Sequence, residues 1–290
     1  MGISQSVSAH FQSQRQFGLS LPFVQASNWV LLLIGIIAWI VGMTTALLPA
    51  ALIALSGLIT AALGWVMVAR RTADRKPAPR PAGIWSEASS LMLINVAGSA
   101  LLQLERLIIP MTIGIEELAL FGVAAALVGS PFRMLQMAVS FTVIPRLRDA
   151  RSVVDRRRLL LREFLLFGVV MGPASFIIWL VAPLIARWFL GGRYDLGTAI
   201  IIAMIISGLL KVLSAFGTSV VSALAPPVRL RRLSLASWVC IALATCLAVA
   251  FRRWGLCGII YATSAGWLAR TCVAFWISVP HLRREHAVPV

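Results

Sequence analysis

Acidic residues are scarce in this chain: Asp and Glu together number 10 in 290 residues, and no two of the aspartates form a D-x-D pair. The three histidines, His10, His281 and His286, sit near the chain ends. The four cysteines, Cys240, Cys246, Cys257 and Cys272, contain no C-x-x-C spacing and lie mostly within apolar runs. These absences leave no ligand cluster for a metal and no disulfide framework. H-E-x-x-H, a P-loop and G-x-S-x-G are also missing. With no loop long enough to house a catalytic domain, the chain reads as non-enzymatic, without catalytic residues, metal or cofactor.

Charge of either sign is sparse. Only 12% of residues are charged and 60% are apolar, with a mean hydropathy of +0.91. Soluble domains carry about a quarter charged residues, so lipid is the expected solvent. The net charge of +16 would suit nucleic acid if it covered one face. Here the basic residues cluster between long apolar runs, so no nucleic-acid partner is expected.

What is present is a series of runs of about 20 apolar residues, enough to cross a bilayer as helix. Eight are legible, at roughly Phe23–Leu47, Pro49–Val68, Ile84–Ile108, Leu118–Ile144, Phe164–Trp188, Leu196–Leu224, Ser234–Phe251 and Leu256–Val279. The expected fold is an all-α membrane protein. Trp29, Trp85, Trp188 and Trp254 fall near run ends, where an indole suits the headgroup layer.

Basic residues orient these spans. With a cytoplasmic N-terminus, 18 of the 26 Lys and Arg fall in inside segments, four outside and four within spans. Both termini are therefore expected to face the cytoplasm. The segment Arg70–Gly83 holds three prolines and five basic residues and reads as a linker between two bundles. The expected division is residues 1–69 with two spans, linker 70–83, a six-helix bundle over 84–280, and a tail over 281–290.

The four basic residues within spans are Arg106, Arg133, Lys211 and Arg270. Each costs about 2.5–3.5 kcal/mol at the bilayer centre, and Glu105, next to Arg106, offsets only one of them. Polar residues recur at helical spacing around them: Asn95, Ser99, Gln103 and Arg106 in the third span, and Ser130, Arg133, Gln136 and Ser140 in the fourth. The sixth span repeats the pattern with Ser207, Lys211, Ser214, Thr218 and Ser222, and the eighth places Thr263 seven residues before Arg270. Each set forms one stripe along a helix, and together they predict a wet, cationic cavity that favours an anionic ligand. Gly168-x-x-x-Gly172 in the fifth span reads as a helix-contact motif.

Several stretches carry a family likeness. Leu104-Glu105-Arg106 leads to Gly114-Ile115-Glu116-Glu117-Leu118, ending at Phe121. Val123-Ala124-Ala125 runs through Pro131 to Ile144-Pro145-Arg146-Leu147, and two turns follow, Phe189-Leu190-Gly191-Gly192-Arg193-Tyr194 and Gly255-Leu256-Cys257-Gly258. In these the chain resembles polysaccharide flippases of the multidrug/oligosaccharidyl-lipid/polysaccharide exporter superfamily, which includes O-antigen translocases and the lipid II flippase. The family usually has Asp and Tyr where this chain has Glu105 and Phe121. The resemblance, over roughly residues 20–280, implies two six-helix bundles around a central cavity that work by alternating access. On that template the chain holds the second bundle and two helices of the first, with four N-terminal helices missing.

The resemblance implies a lipid-linked oligosaccharide as substrate, in the bacterial inner membrane. Arg106, Arg133, Lys211 and Arg270 would bind it, Glu105 would serve as coupling group or charge partner, and Asn95, Ser99, Gln136, Ser207, Ser214 and Thr218 would line the cavity. Membrane lipids are the surrounding partners; other polysaccharide-assembly proteins and a missing N-terminal half are further candidates. A small-molecule cation antiporter of the same superfamily and an inactive truncated remnant are the alternatives. A membrane glycosyltransferase or polymerase is the weaker rival.

Overall fold

A computed structural model describes residues 7–8, 10–11, 16–42, 47–72, 84–150, 152–190 and 196–282. The protein is an all-α membrane protein. Among the described residues every regular element is a helix. Six stretches are long and apolar enough to cross a membrane: Leu47–Arg71, Trp85–Thr112, Ile115–Asp149, Val153–Trp188, Thr198–Leu224 and Pro227–Ser278, the last a hairpin of two helices. Apolar side chains such as Leu165, Val169, Phe176, Ile177 and Leu184 point outward, a surface that only lipid or another apolar partner can cover.

The chain divides into two compact units, Met1–Arg80 and Pro81–Val290. The boundary falls within the expected linker 70–83, of which 73–83 lies outside the described residues; so does most of the expected tail, 283–290. In the first unit α1 (Phe17–Val41) packs against α2 (Leu47–Thr72). Val7 and Phe11 are buried with Val68, and Phe23 packs beside them. Gly64 makes room for this cluster, since a Cβ there would lie 2.8 Å from a Val7 methyl. Arg71 closes the unit, donating to Gln16 Oε1 at 2.6 Å while its guanidinium lies 5.7 Å from the centre of the Phe11 ring.

The second unit holds α3 (Ile84–Thr112), α4 (Ile115–Ala124), a π-helical turn (Ala125–Gly129), α5 (Ser130–Asp149), α6 (Val153–Leu190), α7 (Thr198–Leu224), α8 (Pro227–Ala250) and α9 (Gly255–Ser278). Local chemistry sets the breaks. Gly114 between α3 and α4 has φ +117° and Gly255 between α8 and α9 has φ +63°, conformations that glycine adopts without a Cβ clash. Ser152 opens α6 by accepting the Asp155 N–H at 3.0 Å and donating to its carboxylate at 2.7 Å, a capping arrangement. Pro227 begins α8, where a missing N–H costs nothing.

Helices overrun the apolar runs. α6 starts at Val153 rather than Phe164, and α8 at Pro227 rather than Ser234. Hydropathy marks only the lipid-immersed part, whereas arginine and leucine continue a helix readily beyond it. At 38 residues α6 spans about 57 Å, well past a hydrocarbon core of about 30 Å.

α7 is the central post, packed chiefly on α9 and α5, while α8 packs on α9 and α3. Small residues let the backbones approach. A Cβ on Gly217 would meet Ala274 at 2.9 Å, and one on Gly266 would meet Ala244 at 2.6 Å. Gly168 and Gly172 do not share this role: both are exposed, with open space where their Cβ atoms would be. That corrects the helix-contact expectation among the described residues. α6 uses its other face for packing, so the motif looks outward.

Candidate functional site

In the second unit, α3, the end of α4, the π turn, α5 and α7 line an open cavity of about 240 Å³. Its charged lining is Glu105 and Arg106 from α3, Arg133 from α5 and Lys211 from α7, with Ser130 and Gln136 adding polar groups. Leu102, Phe121, Phe132 and Met204 supply apolar wall.

The π turn forms one side of the cavity through Ala125, Ala126 and Gly129, and Pro131 accounts for it. A proline in a regular α-helix lacks its N–H and presses on the carbonyl four residues back; the wider π register relieves that contact. In that register the acceptor facing Pro131 is the Ala126 carbonyl, and Ser130 Oγ donates to it at 2.5 Å. The hydroxyl replaces the bond proline cannot make. Opposite, Phe132 is buried against Gly208, where any Cβ would collide with the ring. This close fit sets α5 on α7 and orients Arg133 and Lys211 toward the same space.

Glu105 is 1% exposed. Both its oxygens accept from Lys211 Nζ, at 3.1 and 3.2 Å, and Oε1 also accepts from Thr263 Oγ1 on α9 at 2.9 Å. The carboxylate thus joins three helices. Of the four span cations, the one it offsets is Lys211 and not the neighbouring Arg106. Successive helical residues point in different directions, and here Glu105 faces the interior while Arg106 is exposed. Arg106 and Arg133 form no ion pair among the described residues. The cavity therefore presents three cations against one carboxylate, and the two free guanidinia, planar forks of N–H donors, suit a multidentate anion such as phosphate.

The structure brings together Arg106, Arg133, Lys211, Glu105 and Gln136, and leaves the other expected site residues apart. Arg270 is 6% exposed but is not on the cavity wall. Its Nε donates to Ser237 Oγ at 3.2 Å and its Nη2 to the Ile94 carbonyl at 3.3 Å. The guanidinium lies 5.5 Å from the centre of the Trp267 ring and fills the space left by Gly98. Arg270 is a tether between α3, α8 and α9, not a fourth cavity cation.

The polar stripes divide similarly. Asn95, Ser99 and Gln103 are exposed on α3, away from the cavity. Ser207 and Ser214 are buried with hydroxyls unpartnered, in the tightly packed face of α7. Thr218 donates to the carbonyls of Ser214 at 2.8 Å and Ala215 at 3.1 Å. The Thr218 hydroxyl bonds its own helix and has no need of a wet cavity, whereas Ser207 and Ser214 are taken up by helix packing. Sequence reading passed over Phe132, Gly208 and the π turn. A Ser-Pro step within an apolar run, Ser130-Pro131, was the available signal for the last.

The turn Gly191-Gly192-Arg193-Tyr194, one of the stretches that carry the family likeness, lies outside the described residues. Cys240, Cys246, Cys257 and Cys272 are free thiols, and no group of three or more potential metal ligands occurs among the described residues. No protein-family model, curated protein or solved structure matches the chain.

Proposed function

We propose that the protein carries an anionic lipid-linked saccharide, a polyprenyl-pyrophosphate-linked oligosaccharide, across a bacterial inner membrane by alternating access. Both termini face the cytoplasm in this reading. The observation that carries it is the cavity charge: Arg106, Arg133 and Lys211 converge with only Glu105 opposing them. Three cations in an apolar unit are costly without a ligand that uses them, and a pyrophosphate supplies the complementary charge. The cavity, at about 240 Å³, falls below the roughly 300–1,000 Å³ of sites that enclose a whole small molecule. It suits the pyrophosphate alone, with sugars and polyprenyl chain outside. The likeness of the Glu105–Phe121 and Val123–Leu147 stretches to polysaccharide flippases points the same way.

An organic-cation antiporter fits less well. The cavity repels cations, and its one carboxylate is already engaged by Lys211 and Thr263. The test is translocation of a fluorescent polyprenyl-pyrophosphate oligosaccharide by the native protein in proteoliposomes. Arg106→Gln/Arg133→Gln should slow translocation at least tenfold. A rate equal to that of the unaltered protein rejects the proposal.

A further inference from the structure

A second cavity, of about 190 Å³, lies at the end of the α8–α9 hairpin opposite its Phe251–Trp254 turn, lined by Arg229, Arg232, Trp276, Ile277 and Pro280. We propose that it is a binding site for an acidic phospholipid, with the headgroup phosphate on the two arginines and an acyl chain along Trp276 and Pro280. Arg229 and Arg232 are three apart in α8 and so share a face. Arg232 is exposed and has no acidic partner among the described residues. Trp276 is 74% exposed, an indole of the kind that settles at headgroup level. Ile277 is buried and makes the floor apolar.

Charge and grease side by side select the occupant. A soluble anion would satisfy the Arg232 guanidinium and leave the apolar wall wet, and a neutral lipid would cover the wall and leave Arg232 without a counter-charge. An acidic phospholipid satisfies both. This site is independent of the transport proposal, because it lies on other residues and its test reads lipid contact rather than translocation.

The experiment is fluorescence quenching of the full protein in phosphatidylcholine vesicles that contain brominated phosphatidylglycerol or brominated phosphatidylcholine. The Trp276 contribution is the difference between the native protein and Trp276→Phe. Half-quenching should need on the order of tenfold less brominated phosphatidylglycerol than brominated phosphatidylcholine, the preference that two basic residues give near an anionic headgroup. Arg229→Gln/Arg232→Gln should abolish the preference and Arg229→Lys/Arg232→Lys should keep most of it. Arg231→Gln, beside but outside the groove, should leave it unchanged. Equal quenching of the native protein by the two lipids overturns the proposal, as does a preference that survives the double glutamine variant or is lost in Arg231→Gln.

Discussion

Glu105 and Lys211 stand 106 residues apart in sequence and meet as an ion pair on the wall of the cationic cavity, with Thr263 as the carboxylate's third donor. The two partners are unequally exposed: the Lys211 side chain is 15% accessible and that of Glu105 only 2%. Breaking the pair from either side should therefore have unequal consequences.

Lys211→Met strands a buried carboxylate with only the Thr263 hydroxyl, a situation that costs about 3–5 kcal/mol when a buried charge loses its partner. Glu105→Gln leaves a lysine that can still reach the cavity, and its loss should be smaller. The double variant removes both charges and should recover most of the Lys211→Met loss. Thermal unfolding in detergent gives the ranking. Equal, additive losses would show that the pair does not act as a unit.

Arg270 and the two free cavity arginines should separate cleanly in a different pair of measurements. Arg270→Gln loses the contacts to Ser237, the Ile94 carbonyl and the Trp267 ring, and should destabilise the protein by about 2 kcal/mol or more. Arg270→Lys should not restore it, since a point charge cannot span two acceptors as the guanidinium fork does. Arg106→Gln/Arg133→Gln removes two charges that no carboxylate offsets and so should not lower stability, yet it should remove the rise in unfolding temperature expected when pyrophosphate is added to the native protein. A pyrophosphate-induced shift that persists in this variant, or vanishes in Arg270→Gln, contradicts the assignment of roles.

Gly208 tests the packing that positions those charges. A Cβ there enters the space of the Phe132 ring, so Gly208→Ala should destabilise by about 1–3 kcal/mol through overpacking. Adding Phe132→Leu should return part of the loss by vacating that space. The readout is the same unfolding transition, and a Gly208→Ala variant as stable as the native protein would mean that α5 can withdraw from α7 without cost.

Much of this was legible from residue types alone. The membrane class follows from hydropathy, and Arg106, Arg133 and Lys211 are conspicuous because few other charges enter the spans. Which charges meet was not legible. Lys211 and Arg270 look alike in sequence, each a lone cation in an apolar run, but the Arg270 surroundings offer a serine hydroxyl, a backbone carbonyl and an indole, while Lys211 faces a carboxylate. Glu105 stood beside Arg106 in the chain, yet adjacency on a helix is not proximity of side chains. Thr218 shows why polar spacing misled: its hydroxyl is satisfied within its own helix. Gly168 and Gly172 show the same for small residues, since spacing marks a possible contact face and only tertiary packing decides whether a neighbour uses it.

The π turn yields the last prediction. Its extra residue offsets α4 from α5, and Pro131 holds it because an α register would press the ring on the Leu127 carbonyl. Pro131→Ala restores an N–H and removes the ring, so the segment should relax to regular α-helix. One residue of slip rotates the α4 side by about 100° relative to α5 and carries Gly122 off the cavity wall, where it now sits. In a background without the four native cysteines, Gly122→Cys should react readily with a negatively charged thiol reagent drawn by Arg106 and Arg133. Pro131→Ala should slow that reaction several-fold, and deleting Ala126 as well should restore it, because removing the extra residue returns α4 to its original facing. Unchanged reactivity after Pro131→Ala would mean that packing on α6 and α7, rather than the proline, holds the turn in its wide register.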